Sequence, residues 1–116
     1  MISSRGLLKR LYQVRKDEQN SEEFDRDLGI MICAGYHRGK ADATHEVIQL
    51  IEDKKLIPNR GYQRRNSALI GRRLGRARRL LRAFEKADSP DFCIKAAQGE
   101  IEVYQGVLRL LRGSYS

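Results

Sequence analysis

The chain has 116 residues, enough for one domain with a modest core and too few for two. Its 41% hydrophobic and 33% charged content, with no tryptophan and only two prolines, suits long helices with few connections. No stretch approaches the roughly 18 consecutive apolar residues of a membrane span, and Met1–Leu11 lacks the apolar run of a secretory signal, which argues against a membrane partner and leads us to expect a cytoplasmic protein.

The first helical segment is predicted over Ser4–Asp17, where Leu7, Leu8, Leu11 and Val14 recur at helical spacing. Asn20 and Ser21 read as N-caps for the next segment, with Glu22 and Glu23 in its first turn, where the helix dipole favours negative charge. That second segment is predicted as a long helix over Glu22–Lys55. Phe24, Leu28, Met31, Ile32, Ala43, Val47, Leu50 and Ile51 lie along one drifting apolar face. Gly35 and Gly39 fall on the same face. A helical glycine costs about 1 kcal/mol relative to alanine, so the pair implies either a close approach by a neighbouring helix or a kink.

Pro58-Asn59-Arg60-Gly61 is the clearest turn in the chain. A third helix is predicted over Gln63–Ala87, and Asp88-Ser89-Pro90-Asp91 stops it and starts a fourth. The fourth carries Ile94, Ala97, Ile101, Tyr104, Leu108 and Leu111 in steps of three and four. A second stripe of Cys93, Ala96, Val103, Val107 and Leu110 widens its apolar face, which predicts the deepest burial. Gly113 is a natural stop, with residues 114–116 expected to fray. The fold expected is all-α: one domain over residues 1–116, a compact bundle of about four helices, with a dimerising helical hairpin as the competitor.

The excess charge is concentrated. Between Arg60 and Arg82 there are nine arginines and no acidic residue, whereas residues 1–59 carry ten basic and ten acidic side chains and residues 83–116 carry four and five. On a helical projection Ile70, Leu74, Ala77, Leu81 and Phe84 share one face. Arg65, Arg72, Arg76 and Arg79 form a stripe roughly opposite, flanked by Arg64, Arg78 and Arg82. Arg73 lies nearer the apolar boundary, where its stem can snorkel. Gly71 and Gly75 thin the side-chain layer among them. Arginine's planar fork matches phosphate and carboxylate groups, and like charges one turn apart repel unless a partner neutralises them.

Two partners fit: nucleic acid, RNA or DNA, held through phosphates with little sequence preference, or an acidic protein surface met by an adaptor, inhibitor or assembly subunit of the kind a phage or mobile element encodes. The chain's own acids Glu22, Glu23, Asp25 and Asp27 offer a competing, internal partner. Tyr62 could stack on a base.

No catalytic, metal or cofactor constellation reads out. Gly35-Tyr-His-Arg-Gly39-Lys40-Ala41 has one residue too few between its glycines for a phosphate-binding loop and lacks the hydroxyl residue after lysine. His37 and His45, with Asp42 and Glu46 nearby, read as surface residues of the second helix rather than metal ligands. Cys33 and Cys93 read as small buried hydrophobes with free thiols, and Glu100 and Glu102 are two residues apart and diverge on a helix. The protein is expected to be a binding protein and not an enzyme.

Overall fold

The structure is a computed structural model that describes residues 4–27 and 31–113, with the side chains of residues 4, 25–27, 31, 32 and 113 left out of the description. Four helices account for most of it: α1 (Ser4–Asp27), α2 (Met31–Glu52), α3 (Gln63–Lys86) and α4 (Asp91–Gly113), with a 3-10 turn at Arg60–Tyr62 leading into α3. No strand occurs among the described residues, and the molecule measures 44 × 29 × 24 Å. The all-α bundle expected from periodicity is the observed fold, with four helices of similar length in place of the long second one.

The first two helices divide elsewhere than the sequence suggests. α1 continues through Asn20 and Ser21 to Asp27. Neither residue caps a helix: Asn20 is exposed, and Ser21 Oγ donates to the Asp17 carbonyl one turn back at 3.0 Å. The continuation is held by charge across an antiparallel pair. Lys40 Nζ lies 2.9 Å from Glu18, His37 Nδ1 bonds the same carboxylate, and Arg38 reaches Glu22 at 3.6 Å. Nearer the start of α1, Arg15 meets His45 at 2.9 Å and Tyr12 donates to Glu52 at 2.6 Å. So His45 is a surface residue, as expected, that also meets α1, while His37 is half-buried against it.

Apolar periodicity could not show this polar seam, and it placed some residues inside that are outside: Val14 and Phe24 are 39% and 65% exposed, and Cys33 is exposed. Leu28, Met31 and Ile32, assigned to the buried face, lie outside the described residues or their described side chains, as do the residues 114–116 expected to fray.

α2 and α4 run parallel and very close. A Cβ at Gly35 would stand 2.6 Å from the Phe92 carbonyl oxygen, one at Gly39 would overlap the Ala96 carbonyl, and one at Gly99 would overlap the Tyr36 carbonyl. Of the two readings of Gly35 and Gly39, close approach is the structure and a kink is not: α2 is continuous through both. Tyr36 then bonds Glu102 across the seam, and Lys40 Nζ sits 5.0 Å above the Tyr36 ring.

α2 is more deeply buried than α4, against expectation. Its Ala34, Ala41, Ala43, Thr44, Val47, Ile48, Leu50 and Ile51 are all buried, because α1 covers one flank and α4 the other. Tyr104, Val107 and Leu111 complete the core from α4, while Ile94, Ile101 and Leu108 are only partly buried.

The turn into α3 is fixed by side-chain chemistry. Asn59 accepts from the Gly61 amide at 2.9 Å. Asn66, fully buried, clamps Ile57 from both sides, accepting from its amide at 3.2 Å and donating to its carbonyl at 2.7 Å. Lys54 and Asp88 adopt positive φ of 59° and 54° at the ends of α2 and α3, and the Ser89 amide closes α3 on the Phe84 carbonyl at 2.9 Å.

The seam makes alanine a discriminating probe. Gly39→Ala will destabilise the fold by about 2 kcal/mol or more through overpacking, despite alanine's better helix propensity. Gly71→Ala, where a Cβ meets nothing within 4 Å, will stabilise it by up to about 1 kcal/mol. Urea denaturation of the two variants measures both, and equal effects of the same sign would contradict the close approach.

Candidate nucleic-acid interface

α3 lies on the flank of the α2–α4 pair opposite α1. On α2, Arg38, His45 and Glu52 point to α1, whereas Glu46 points to α3. The helix buries Asn66, Ile70, Leu74 and Ala77 and presents its other side outward. Arg65, Arg72, Arg76 and Arg79, the stripe expected from the projection, are all exposed, as are Arg64, Arg78 and Arg82 beside it. From Arg65 to Arg79 the stripe spans about 21 Å at 1.5 Å per residue. Tyr62 stands at the amino-terminal end of the helix, 39% exposed.

On α3, Arg73 has an ion-pair partner within the molecule and Arg76 has a nearby acid. Arg73, half-buried at the edge of the face, bonds Glu46 of α2, so the residue placed at the apolar boundary by projection is tied to the bundle. Arg76 lies within electrostatic reach of Glu100 of α4. Among the described residues the internal acids on this face are Glu46 and Glu100; of the cluster at residues 22–27, Glu22 pairs with Arg38 across α1 and α2, and the side chains of Asp25 and Asp27 lie outside the description. Among the described residues no carboxylate forms an ion pair with Arg64, Arg65, Arg72, Arg76, Arg78, Arg79 or Arg82.

Beyond Ala77 the apolar side of α3 lifts from the core. Leu81 and Phe84, expected inside, are half-buried, and Leu80 is 40% exposed. A groove opens there between α2 and α3 with α4 as its floor, lined by Arg38, Asp42, Leu80, Phe84, Phe92 and Glu100 among others. Burial, followed by the charge of Asp42, raises the Glu100 carboxyl above its ordinary range, with Arg76 opposing and Glu46 adding to the rise. Deeper in the core, burial foremost pushes the Tyr104 phenol up to about 12. Gly71 is open, with nothing near its missing Cβ, and Gly75 meets only Arg79 at 3.5 Å. The backbone between the arginines is thus accessible to a close-lying partner.

Sequence reasoning missed Glu46 and Glu100 as partners of the arginine face, since neither has a motif; only the three-dimensional register of α2 and α4 against α3 brings them there. It also passed over Arg5, Lys9 and Lys16 on α1, whose charge is cancelled in a segment-wise count by the acids that follow. Their spacing of four and seven residues would have revealed a shared face.

Cys33 and Cys93 are both free, and among the described residues no group of three or more His, Cys, Asp or Glu is arranged to hold a metal ion. None of the described helices is long and apolar enough to cross a membrane. Comparison with protein-family models, with curated proteins and with solved structures returned no match.

The Glu100 shift fixes a pH dependence. Folded, Glu100 holds its proton more readily than its ordinary value of 4.5 allows. The folded state therefore binds the extra proton between that value and the raised one, and stability contributed by this group falls as pH rises through the interval. Glu100→Gln is expected to raise the melting temperature at pH 7, and the gain is expected to vanish as pH falls below 4.5. Melting curves followed by circular dichroism at both pH values check this; a lower melting temperature at pH 7 would mean that attraction to Arg76 outweighs burial.

Proposed function

We propose that this protein is a non-catalytic nucleic-acid-binding protein that grips the phosphate backbone with the outer face of α3 and has little sequence preference. One observation carries the reading: a line of exposed arginines with no ion-pair partner among the described residues, Arg65, Arg72 and Arg79. Holding like charges along one rod is unfavourable by a few tenths of a kcal/mol per pair, and phosphates relieve it. Arg76 joins them when its attraction to Glu100 is exchanged for phosphate. Arg64, Arg78 and Arg82 extend the field to one side, and Arg73, bound to Glu46, anchors the helix. Open backbone at Gly71 lets the strand approach, and Tyr62 is placed to stack on an unpaired base at the end of the ridge. Phosphate contacts of this kind position a ligand without reading its bases.

A second reading rests on the groove beside the stripe. Exposed Leu80, with Phe84 and Phe92, offers an apolar anchor that phosphates would not use, and an acidic protein carrying an apolar side chain would engage both features.

If about five phosphates are neutralised on a duplex, log K falls against log salt with a slope of about −4 to −5. Replacing Arg72, Arg76 and Arg79 together by glutamine will weaken duplex binding by about tenfold or more and leave helicity intact. Fluorescence anisotropy with duplex and single-stranded probes across a salt series is the measurement. Unchanged affinity in the triple variant removes the proposal, and a requirement for Leu80, tested as Leu80→Gln, transfers support to the protein partner.

A further inference from the structure

The outward face of α1 carries a second cationic strip. Arg5, Lys9, Tyr12 and Lys16 recur at intervals of four, three and four residues, which brings them into one line along the helix. All four are exposed, and together with Leu8 and Gln13 they line a shallow cleft. The buried side of α1, Leu7 and Leu11, faces the opposite way into the core.

The acids nearest this strip, Asp17 and Glu52, are hydrogen-bonded by neutral groups, which orients them without neutralising them, so they reduce the strip's net charge near Tyr12 and Lys16. Asp17 accepts from Gln13 at 2.9 Å, and Glu52 accepts the Tyr12 hydroxyl at 2.6 Å. Arg15 does not add to the strip's outward charge, being turned to His45, with its guanidinium carbon 4.9 Å from the Tyr12 ring centre. Glu23, exposed on the same side of the helix, ends the strip. Its cationic length from Arg5 to Lys16 is therefore about 16 Å at 1.5 Å per residue.

What matters is where this strip lies relative to the arginine ridge. α1 packs on one flank of the α2–α4 pair and α3 on the other, with no close backbone contact between α1 and α3. In the packing order α1–α2–α4–α3 the two cationic helices are the two outermost and do not touch, so each cationic face stands on its own helix at an opposite end of that order.

From this opposition we propose that α1 is a second phosphate-binding face and that a single molecule bridges two nucleic-acid duplexes, α3 holding one and the Arg5–Lys9–Lys16 strip the other. The inference rests on the function proposed above. Three cations against a longer arginine ridge make α1 the weaker face, with a salt slope of about −3 for its own contact. Bridging is therefore lost at lower salt than simple binding. A membrane surface is the poorer occupant, because the strip exposes Tyr12 but no continuous apolar face that could enter a bilayer.

The test uses the full chain, one duplex immobilised on beads and a second, fluorescently labelled duplex in solution. The wild-type protein is expected to capture the labelled duplex on the beads at low salt and to release it before it leaves the immobilised one. Arg5→Gln/Lys9→Gln/Lys16→Gln is expected to cut capture by about tenfold or more while single-duplex affinity, read by anisotropy, changes by less than about twofold.

Capture undiminished in that variant would overturn the inference and point to two molecules bridging through paired copies. Wild-type binding without capture would overturn it while leaving the α3 reading standing; wild-type failure to bind any duplex would remove both. Sedimentation with vesicles containing phosphatidylserine closes the remaining route: binding that depends on Arg5, Lys9 and Lys16 there, with no capture of duplex, also overturns bridging.

Discussion

The parallel contact between α2 and α4 is the constraint on which the rest of the molecule depends. Gly35, Gly39 and Gly99 leave no room for side chains where the backbones meet, so these two helices form a thin central pair. A thicker pair would leave α1 and α3 too far apart to share one core. As built, Leu7 and Leu11 from one side and Ile70 and Leu74 from the other join a single cluster with Val47, Ile48 and Tyr104. Burying each such aliphatic side chain is worth about 1.5–3 kcal/mol, which offsets the helix-propensity cost of the glycines.

The same arrangement sorts the charges. α2 presents Lys40, His37 and Arg38 to the acids of α1 and Glu46 to the arginines of α3. The polar residues between layers are thereby consumed in holding the bundle together, and what remains outside is cationic on two flanks. A few acids tie the arginine helix to the bundle: Glu46 bonds Arg73, and Glu100, whose carboxyl is raised by burial and by Asp42, lies within electrostatic reach of Arg76. Burial holds the Glu100 carboxyl above its ordinary range, and its charge acts on Arg76 near the middle of the ridge.

Much of this was legible from the sequence, and the reasons for the rest are specific. Pro58 and Pro90 mark real chain turns, and the alternation of Ile70, Leu74 and Ala77 with the arginines on α3 needed no structure to interpret. Gly35 and Gly39 left a close approach and a kink as equal readings, which only the structure separates, and Gly99, their counterpart on α4, does not stand out in a helix rich in small residues. The boundary between the first two helices was misread because Asn20-Ser21-Glu22-Glu23 has the composition of a helix start. It is instead a polar stretch of α1 whose Glu22 is buried against Arg38. Hydrophobic period cannot anticipate an interface built from ion pairs. Nor can net charge over a segment show a strip such as Arg5–Lys9–Lys16, since acids further along the same helix cancel it in the sum.

The central claim is that the outer arginines of α3 are free to meet phosphate while those bound to the bundle are not. Side-chain NMR of the arginine Nε–Hε groups, followed as an unlabelled duplex is added, tests it directly. The account predicts that the first resonances to move are those of Arg65, Arg72 and Arg79, with Arg38, held by Glu22 and Asp42, nearly stationary. Uniform small shifts across all arginines, or movement of Arg38 ahead of Arg65, Arg72 and Arg79, would contradict it.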